Sequence, residues 1–99
     1  MTETIESLYP VIGQTLTDAI PSDWSSAWVV VEVKPGVISL QGHFILKEDD
    51  LPKSIQIPRQ LMQLFSQLHT RMVEEMHDDW KRARFELKRS GKFVMKFEY

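Results

Sequence analysis

Ile20-Pro21-Ser22-Asp23-Trp24 runs directly into Ser25-Ser26-Ala27-Trp28-Val29-Val30-Val31-Glu32-Val33, and this stretch decides the fold. It holds a helix stop, an aromatic anchor and a strand start. The residue before a proline is pushed out of helical angles, so a helix arriving from the N-terminal side ends at Ile20. Beyond Trp24 the β-branched run Val29 to Val33 alternates across a strand, with Val29, Val31 and Val33 on one side and Trp28, Val30 and Glu32 on the other. A large aromatic on the second side is either a plug at the end of the layers or an anchor for a partner. Trp24, next to the helix stop, reads as a plug, whereas Trp28 is open to both readings.

Upstream, Ile5, Leu8, Tyr9, Ile12, Leu16, Ala19 and Ile20 recur at spacings of three and four, the stripe of an amphipathic helix. Thr2 or Thr4 is its candidate cap. Pro10 falls inside the stripe, where the missing N–H and the ring together cost about 3 kcal/mol. The helix either kinks there or becomes regular just ahead of it.

Downstream, Lys34-Pro35-Gly36 is a turn between two β-rich runs. Ile38, Leu40, Gly42, Phe44 and Leu46 then alternate with Ser39, Gln41 and His43, as in a half-buried antiparallel strand. Lys47 to Ser54 is a polar loop, and Ile55-Gln56-Ile57 reads as a brief extra strand. Pro58 suits the first turn of a second helix. Its stripe is Leu61, Leu64, Phe65, Leu68, Met72 and Met76, and it extends to about His77.

A closing hairpin follows. Ala83, Phe85 and Leu87 face the core, against Arg82, Arg84, Glu86 and Lys88. Ser90-Gly91 reads as a two-residue turn. Phe93, Met95, Phe97 and Tyr99 return along the core face. The order of elements predicts an α+β fold, an antiparallel sheet of four or more strands with both helices packed on one face.

Composition sets the limits. Ninety-nine residues make one domain, which buries roughly 60–65% of the surface its unfolded chain exposes. That allows one core but no deep internal cavity. There is no cysteine, which removes disulfides, thiol catalysis and thiolate zinc sites. No apolar run reaches the roughly 20 residues of a membrane span, and the acidic N-terminus lacks the charge pattern of a signal peptide. A cytoplasmic protein without a membrane partner is expected. The net charge of −2 is unevenly spread: residues 1–50 carry eight acidic and two basic side chains, residues 51–99 six and ten. Such asymmetry points to a charged partner unless folding interleaves the halves.

The search for chemistry yields little. Glu74 and His77 form an E-x-x-H step on one helical face, but a di-iron site needs a second such step and two further glutamates. Neither is present, so no metal and no cofactor are expected. His43 and Glu32 form a conceivable acid–base pair on neighbouring strands, the basis of an alternative reading as a small hydrolase. Lys81, Arg82, Arg84, Lys88, Arg89, Lys92 and Lys96 suggest a nucleic-acid-binding domain as another alternative. The interleaved Phe85, Phe93 and Phe97 alternate out of phase with them, on the core face, where they cannot stack on bases.

These pieces, in this order, resemble the YezG-like immunity proteins. The resemblance rests on the helix Ile12 through Ile20, then Pro21, Trp24, Ala27 and Trp28, the hairpin after it, the long helix Leu61 to Met76, and the closing turn Ser90-Gly91-Lys92-Phe93. It implies a cytoplasmic antitoxin with no catalytic residues. Such a protein binds and neutralises a polymorphic bacterial toxin, commonly a nuclease, as in contact-dependent growth inhibition, and makes no direct contact with nucleic acid. Inhibitors of nucleic-acid enzymes use acidic groups to speed encounter and a few aromatics or arginines to hold the complex. The candidate acidic groups are Glu48, Asp49 and Asp50, together with Glu74, Glu75, Asp78 and Asp79. The candidate anchors are Trp28 and Arg84.

Overall fold

The computed structural model describes residues 5–99. The two candidate caps, Thr2 and Thr4, lie outside the described residues. Helix α1 spans Ile5–Asp18, with Leu8, Ile12 and Leu16 buried along one stripe. The helix runs on through Pro10, so it does not begin at the proline. Two i→i+3 bonds, from Ala19 to Leu16 at 3.0 Å and from Ile20 to Thr17 at 3.3 Å, tighten its last turn before Pro21.

Strand β1 covers Trp24–Lys34, β2 Val37–Leu46 and β3 Lys53–Ile55; helix α2 covers Arg59–Met76; β4 and β5 cover Arg82–Lys88 and Phe93–Glu98. The sheet is antiparallel with five strands in the order β3-β2-β1-β4-β5. Helix α2 therefore carries the chain from one side of β1 to the other. The expected α+β architecture is the observed one, with the stripes of both helices and the inner sheet face joined in one core. Val29, Val31, Phe85, Leu61, Phe65 and Leu68 are fully buried in it.

A β-bulge between Trp24 and Ser26 resets the phase of β1. Trp24 and Ala27, three residues apart, thus both turn inward, which strict alternation forbids. Trp24 is 4% exposed, with the Arg89 guanidinium over its ring at 5.6 Å. It is the plug that its position suggested.

Four details depart from the sequence reading. The short edge strand is Lys53–Ile55 rather than residues 55–57, and it begins inside the expected polar loop. Gly42 explains its seat: a Cβ there would stand 3.0 Å from Ile57 Cδ1 and 3.2 Å from Ile55 Cδ1, so the bare backbone lets both isoleucines close on β2. The last hairpin turns through three residues, Arg89-Ser90-Gly91, not two. Gly91 N–H bonds Lys88 O at 2.9 Å, and Gly91 adopts φ 94°, the three-residue hairpin loop that ends in a left-handed glycine. The inner face of β5 is only part-covered, with Phe93 42% and Tyr99 76% exposed, because β5 is the edge strand. Met76 ends α2 57% exposed, outside the core stripe.

Trp80 is a core residue that neither the helical nor the strand pattern marks. It is fully buried beyond the end of α2, donating its indole N–H to Met72 Sδ at 3.3 Å and packing at 5.4 Å from the Phe97 ring. Among the described residues, no helix is long and apolar enough to cross a membrane.

Candidate functional site

The helices cover one face of the sheet and leave the other open. Strand register places four rows of side chains there. Trp28 lies between His43 on β2 and Glu86 on β4; Val30 lies between Gln41 and Arg84; Glu32 lies between Ser39 and Arg82; Ser26 lies between Ile45 and Lys88. On β5, Lys96 stands opposite Arg84 and Glu98 opposite Arg82.

Trp28 is the centre of this face. Its ring stacks on His43, with centroids 5.6 Å apart and planes inclined by 24°. The guanidinium of Arg84, a diagonal neighbour, stands 5.5 Å from the Trp28 centroid. Arg84 Nε donates to Glu86 Oε1 at 2.7 Å, which fixes the guanidinium in that position. The Arg84 side chain remains 45% exposed, so it has charge to offer outward. His43 Nδ1 is buried without a hydrogen-bond partner. Beside Arg84, Val30, Arg82, Lys96 and Glu98 wall a shallow depression. A half-buried tryptophan clamped by an imidazole and a guanidinium is a rigid, amphipathic surface. Tryptophan and arginine of this kind dominate the energetics of protein interfaces.

The structure brings Trp28 and Arg84 together but separates the acidic candidates. Lys47 N–H bonds Asp23 O at 2.9 Å, which puts Glu48, Asp49 and Asp50 at the end of the sheet where β1 begins. Val33 N–H bonds Lys81 O at 2.9 Å, which puts Asp78 and Asp79 at the end where β1 finishes. The 11 residues of β1 separate the two groups, roughly 33 Å at the usual strand rise.

Several of these carboxylates are occupied within the chain. Asp49 accepts from Leu51 N–H at 3.0 Å and stands 3.6 Å from Lys53 Nζ; the Leu51 bond is the main reason its carboxyl titrates below the usual range. Glu75 pairs with Arg71 at 3.0 Å. Asp79 meets Lys81 Nζ at 2.8 Å and His69 Nε2 at 3.2 Å, and the Lys81 bond leads in lowering its carboxyl. Asp78 hydrogen-bonds the Tyr99 hydroxyl, which raises that phenol. Glu48, Asp50 and Glu74 make no ion pair with any described residue.

The chemical alternatives fare differently. His77 sits past the end of α2 with φ 54°, a left-handed cap. The helix stops one residue short of it, so Glu74 and His77 do not share a helical face. Among the described residues, no group of three His, Asp or Glu side chains is arranged to hold a metal. Glu32 pairs with Ser39 and His43 with Trp28, which sets the conceivable acid–base pair four strand residues apart, about 13 Å. His69 is used structurally, bonding Trp80 O at 3.1 Å and meeting the Trp80 ring edge-on at 4.8 Å. His43, Arg84 and Trp28 share the outward face in the sequence pattern as they do in the structure, whereas Glu86, which completes the cluster, is read from sequence only as an outward residue. The signal was available in the shared outward phase of the strands, but only the register says which outward residues are neighbours.

Over residues 5–99 the chain matches the sequence model of the family described as "Immunity protein YezG-like". It is similar to the immunity protein YezG of Bacillus subtilis (strain 168), with 27% identity over 110 aligned residues that cover 96% of this chain and 73% of the relative.

Proposed function

Because the chain belongs to the YezG-like immunity protein family, we propose that residues 1–99 act as one immunity domain that binds a cognate bacterial protein toxin and neutralises it in the cytoplasm. The family match across nearly the whole chain carries this reading. The protein acts by stoichiometric binding rather than turnover. The toxin is a nuclease of the contact-dependent growth inhibition type.

The open sheet face supplies the grip. Trp28, held between His43 and Arg84, loses little side-chain freedom on binding because it is already fixed. The acidic groups left unpaired among the described residues, Glu48 and Asp50 at one end of the sheet and Glu74 in the last turn of α2 toward the other, steer a basic toxin surface toward the protein from a distance. A binder working this way covers its target without contributing a reactive group.

The test is a titration of the cognate toxin with the purified protein, beside growth protection in cells that express both. Trp28→Ala is expected to weaken binding by about 2 kcal/mol, roughly thirtyfold, while leaving thermal unfolding within a few degrees of the parent. Unchanged affinity removes the open sheet face from the interface, and absence of any complex with the co-encoded toxin overturns the reading. Glu74→Lys is expected to slow association more at low salt than at high; equal rates at both exclude that end.

Five cations on the same face (Arg82, Arg84, Lys88, Lys92 and Lys96) favour a second reading, a nucleic-acid binder. Glu32, Glu86 and Glu98 are interleaved with them in the sheet register and oppose it. Salt-steep retention of RNA or DNA decides for that reading, and none decides against it.

A further inference from the structure

Among the described residues, β5 is the last strand on its side of the sheet. Lys88 N–H bonds Lys92 O, and Lys81 N–H bonds Glu98 O, both at 2.8 Å. In an antiparallel pair, alternate residues exchange the backbone bonds. Lys92, Val94, Lys96 and Glu98 therefore satisfy β4, and the N–H and C=O groups of Phe93, Met95 and Phe97 point the other way, off the edge of the sheet.

Natural sheets guard such edges with short strands, prolines, lysines or bulges. The opposite edge is guarded in this way: β3 has three residues, starts with Lys53 and follows Pro52. The β5 edge carries one lysine, Lys96, but it has six residues, no proline and an unbroken register, and its Phe93 and Val94 are 42% and 49% exposed.

We propose that this edge pairs with the β5 of a second copy of the chain. Strand β5 is complementary to itself over its whole length in a register centred on Met95. A two-fold axis through Met95 places Met95 opposite Met95 of the partner subunit and Phe93 opposite Phe97 of the partner subunit, with the outward backbone groups of all three matched. On the other face of the sheet, the same axis sets Lys92 opposite Glu98 of the partner subunit, twice by symmetry. A shift in one direction puts Lys96 against Lys96 of the partner subunit. A shift in the other puts Lys92 against Lys96 of the partner subunit. Like charges directly opposite destabilise a strand pair, so charge rejects both neighbouring registers. The one beyond, centred on Phe97, also sets Lys96 opposite Glu98 of the partner subunit but pairs only residues 96–98 of β5 with one another, so charge and length of overlap together select the Met95-centred register. The interface is isologous, as two-fold dimers require. The sheet becomes continuous across both subunits, and the two Trp28 faces lie on the same side.

Light scattering on eluting protein, without toxin, across the micromolar to near-millimolar range tests this. The parent protein is expected to pass from monomer to dimer. Met95→Pro removes an N–H that β4 does not use, in a place where an edge strand tolerates proline, and is expected to stay monomeric. Lys92→Glu is expected to weaken the dimer about tenfold, because symmetry breaks two charge pairs at once, and adding Glu98→Lys is expected to restore it. Met95→Cys, in a chain with no other cysteine, is expected to give a covalent dimer on oxidation. A parent that stays monomeric throughout overturns the proposal, as does a dimer indifferent to Met95→Pro or a charge exchange that fails to rescue. A monomeric parent whose toxin binding is lost on Met95→Pro assigns the edge to a toxin strand, which also overturns it.

Discussion

Trp80 donates its indole N–H to the sulfur of Met72 at 3.3 Å, across the end of helix α2. This contact joins the last buried turn of the helix to the loop that leads into β4. Its polar atom is satisfied, so the ring counts as a full apolar contribution to the core. Trp80→Ala is expected to cost about 3–5 kcal/mol, a large share of the 5–15 kcal/mol typical of a small domain. Urea unfolding checks it: the midpoint falls while the slope stays that of the parent. A midpoint unmoved by the change places Trp80 outside the core.

Gly13 lies in the middle of α1, and a Cβ there would meet Leu87 Cδ1 at 3.9 Å and Phe85 Cζ at 4.0 Å, ordinary contact distances. Alanine adds packing and removes the entropic penalty of a helical glycine. Gly13→Ala is expected to stabilise by about 0.5–1 kcal/mol, seen as a Tm a few degrees higher. A lower Tm shows that the α1–β4 contact has no room for the methyl group.

His77 holds φ 54°, the left-handed region that costs a side-chain-bearing residue about 1–2 kcal/mol. The cap returns His77 N–H to Val73 O at 3.1 Å and Asp78 N–H to Met72 O at 3.1 Å. Glycine keeps both bonds and relieves the strain, so His77→Gly is expected to raise stability by about 1 kcal/mol in thermal unfolding. A destabilised variant assigns the imidazole a favourable contact that outweighs the strain.

Asp79 sits below the ordinary carboxylate range chiefly because it accepts from Lys81, with His69 adding to the effect. A carboxyl whose folded pKa is depressed contributes stability above its unfolded pKa and loses it as the pH falls through the folded value. The tie between Asp79, Lys81 and His69 is therefore intact at neutral pH and released only in acid, below the normal carboxylate midpoint. Lys81→Met is expected to move the Asp79 midpoint upward in a carbon-detected NMR titration. No movement shows that Lys81 is not the cause.

Asp78 raises two phenols. It hydrogen-bonds Tyr99, the first cause of that shift, and acts on Tyr9 at longer range, after burial and Glu6. Asp78→Asn is expected to lower both tyrosine midpoints, Tyr99 more than Tyr9, in an ultraviolet titration. A larger fall at Tyr9 places Asp78 nearer that ring than the structure has it.

Most elements were legible because each buries a single face at the period of its own backbone. The stripe Leu8, Ile12, Leu16 and the alternation Ala83, Phe85, Leu87 leave little choice. Trp80 escaped because it stands in the charged run Asp78 to Lys81, between a helical period and a strand period, where no pattern counts it. The bulge at Ser25 and the three-residue turn at Gly91 depend on single backbone angles, which hydrophobic pattern does not encode. Trp28 and Arg84 were individually readable as outward residues. That they touch, and that Glu86 braces the pair, follows from a β1–β4 register set by residues some sixty positions apart.

The placement of β1 in the middle of the sheet has a consequence for the cell. One neighbour, β2, leaves the ribosome immediately after it, but the other, β4, follows only once β2, β3 and α2 have been made. Until then, half of β1's backbone has nothing to bond and the Phe85 layer of the core does not exist. A nascent chain halted after α2 is a helix pair over an open hairpin, with no finished sheet to present. Protection would then begin only once β4 is in place, and a message broken between α2 and β4 would confer none.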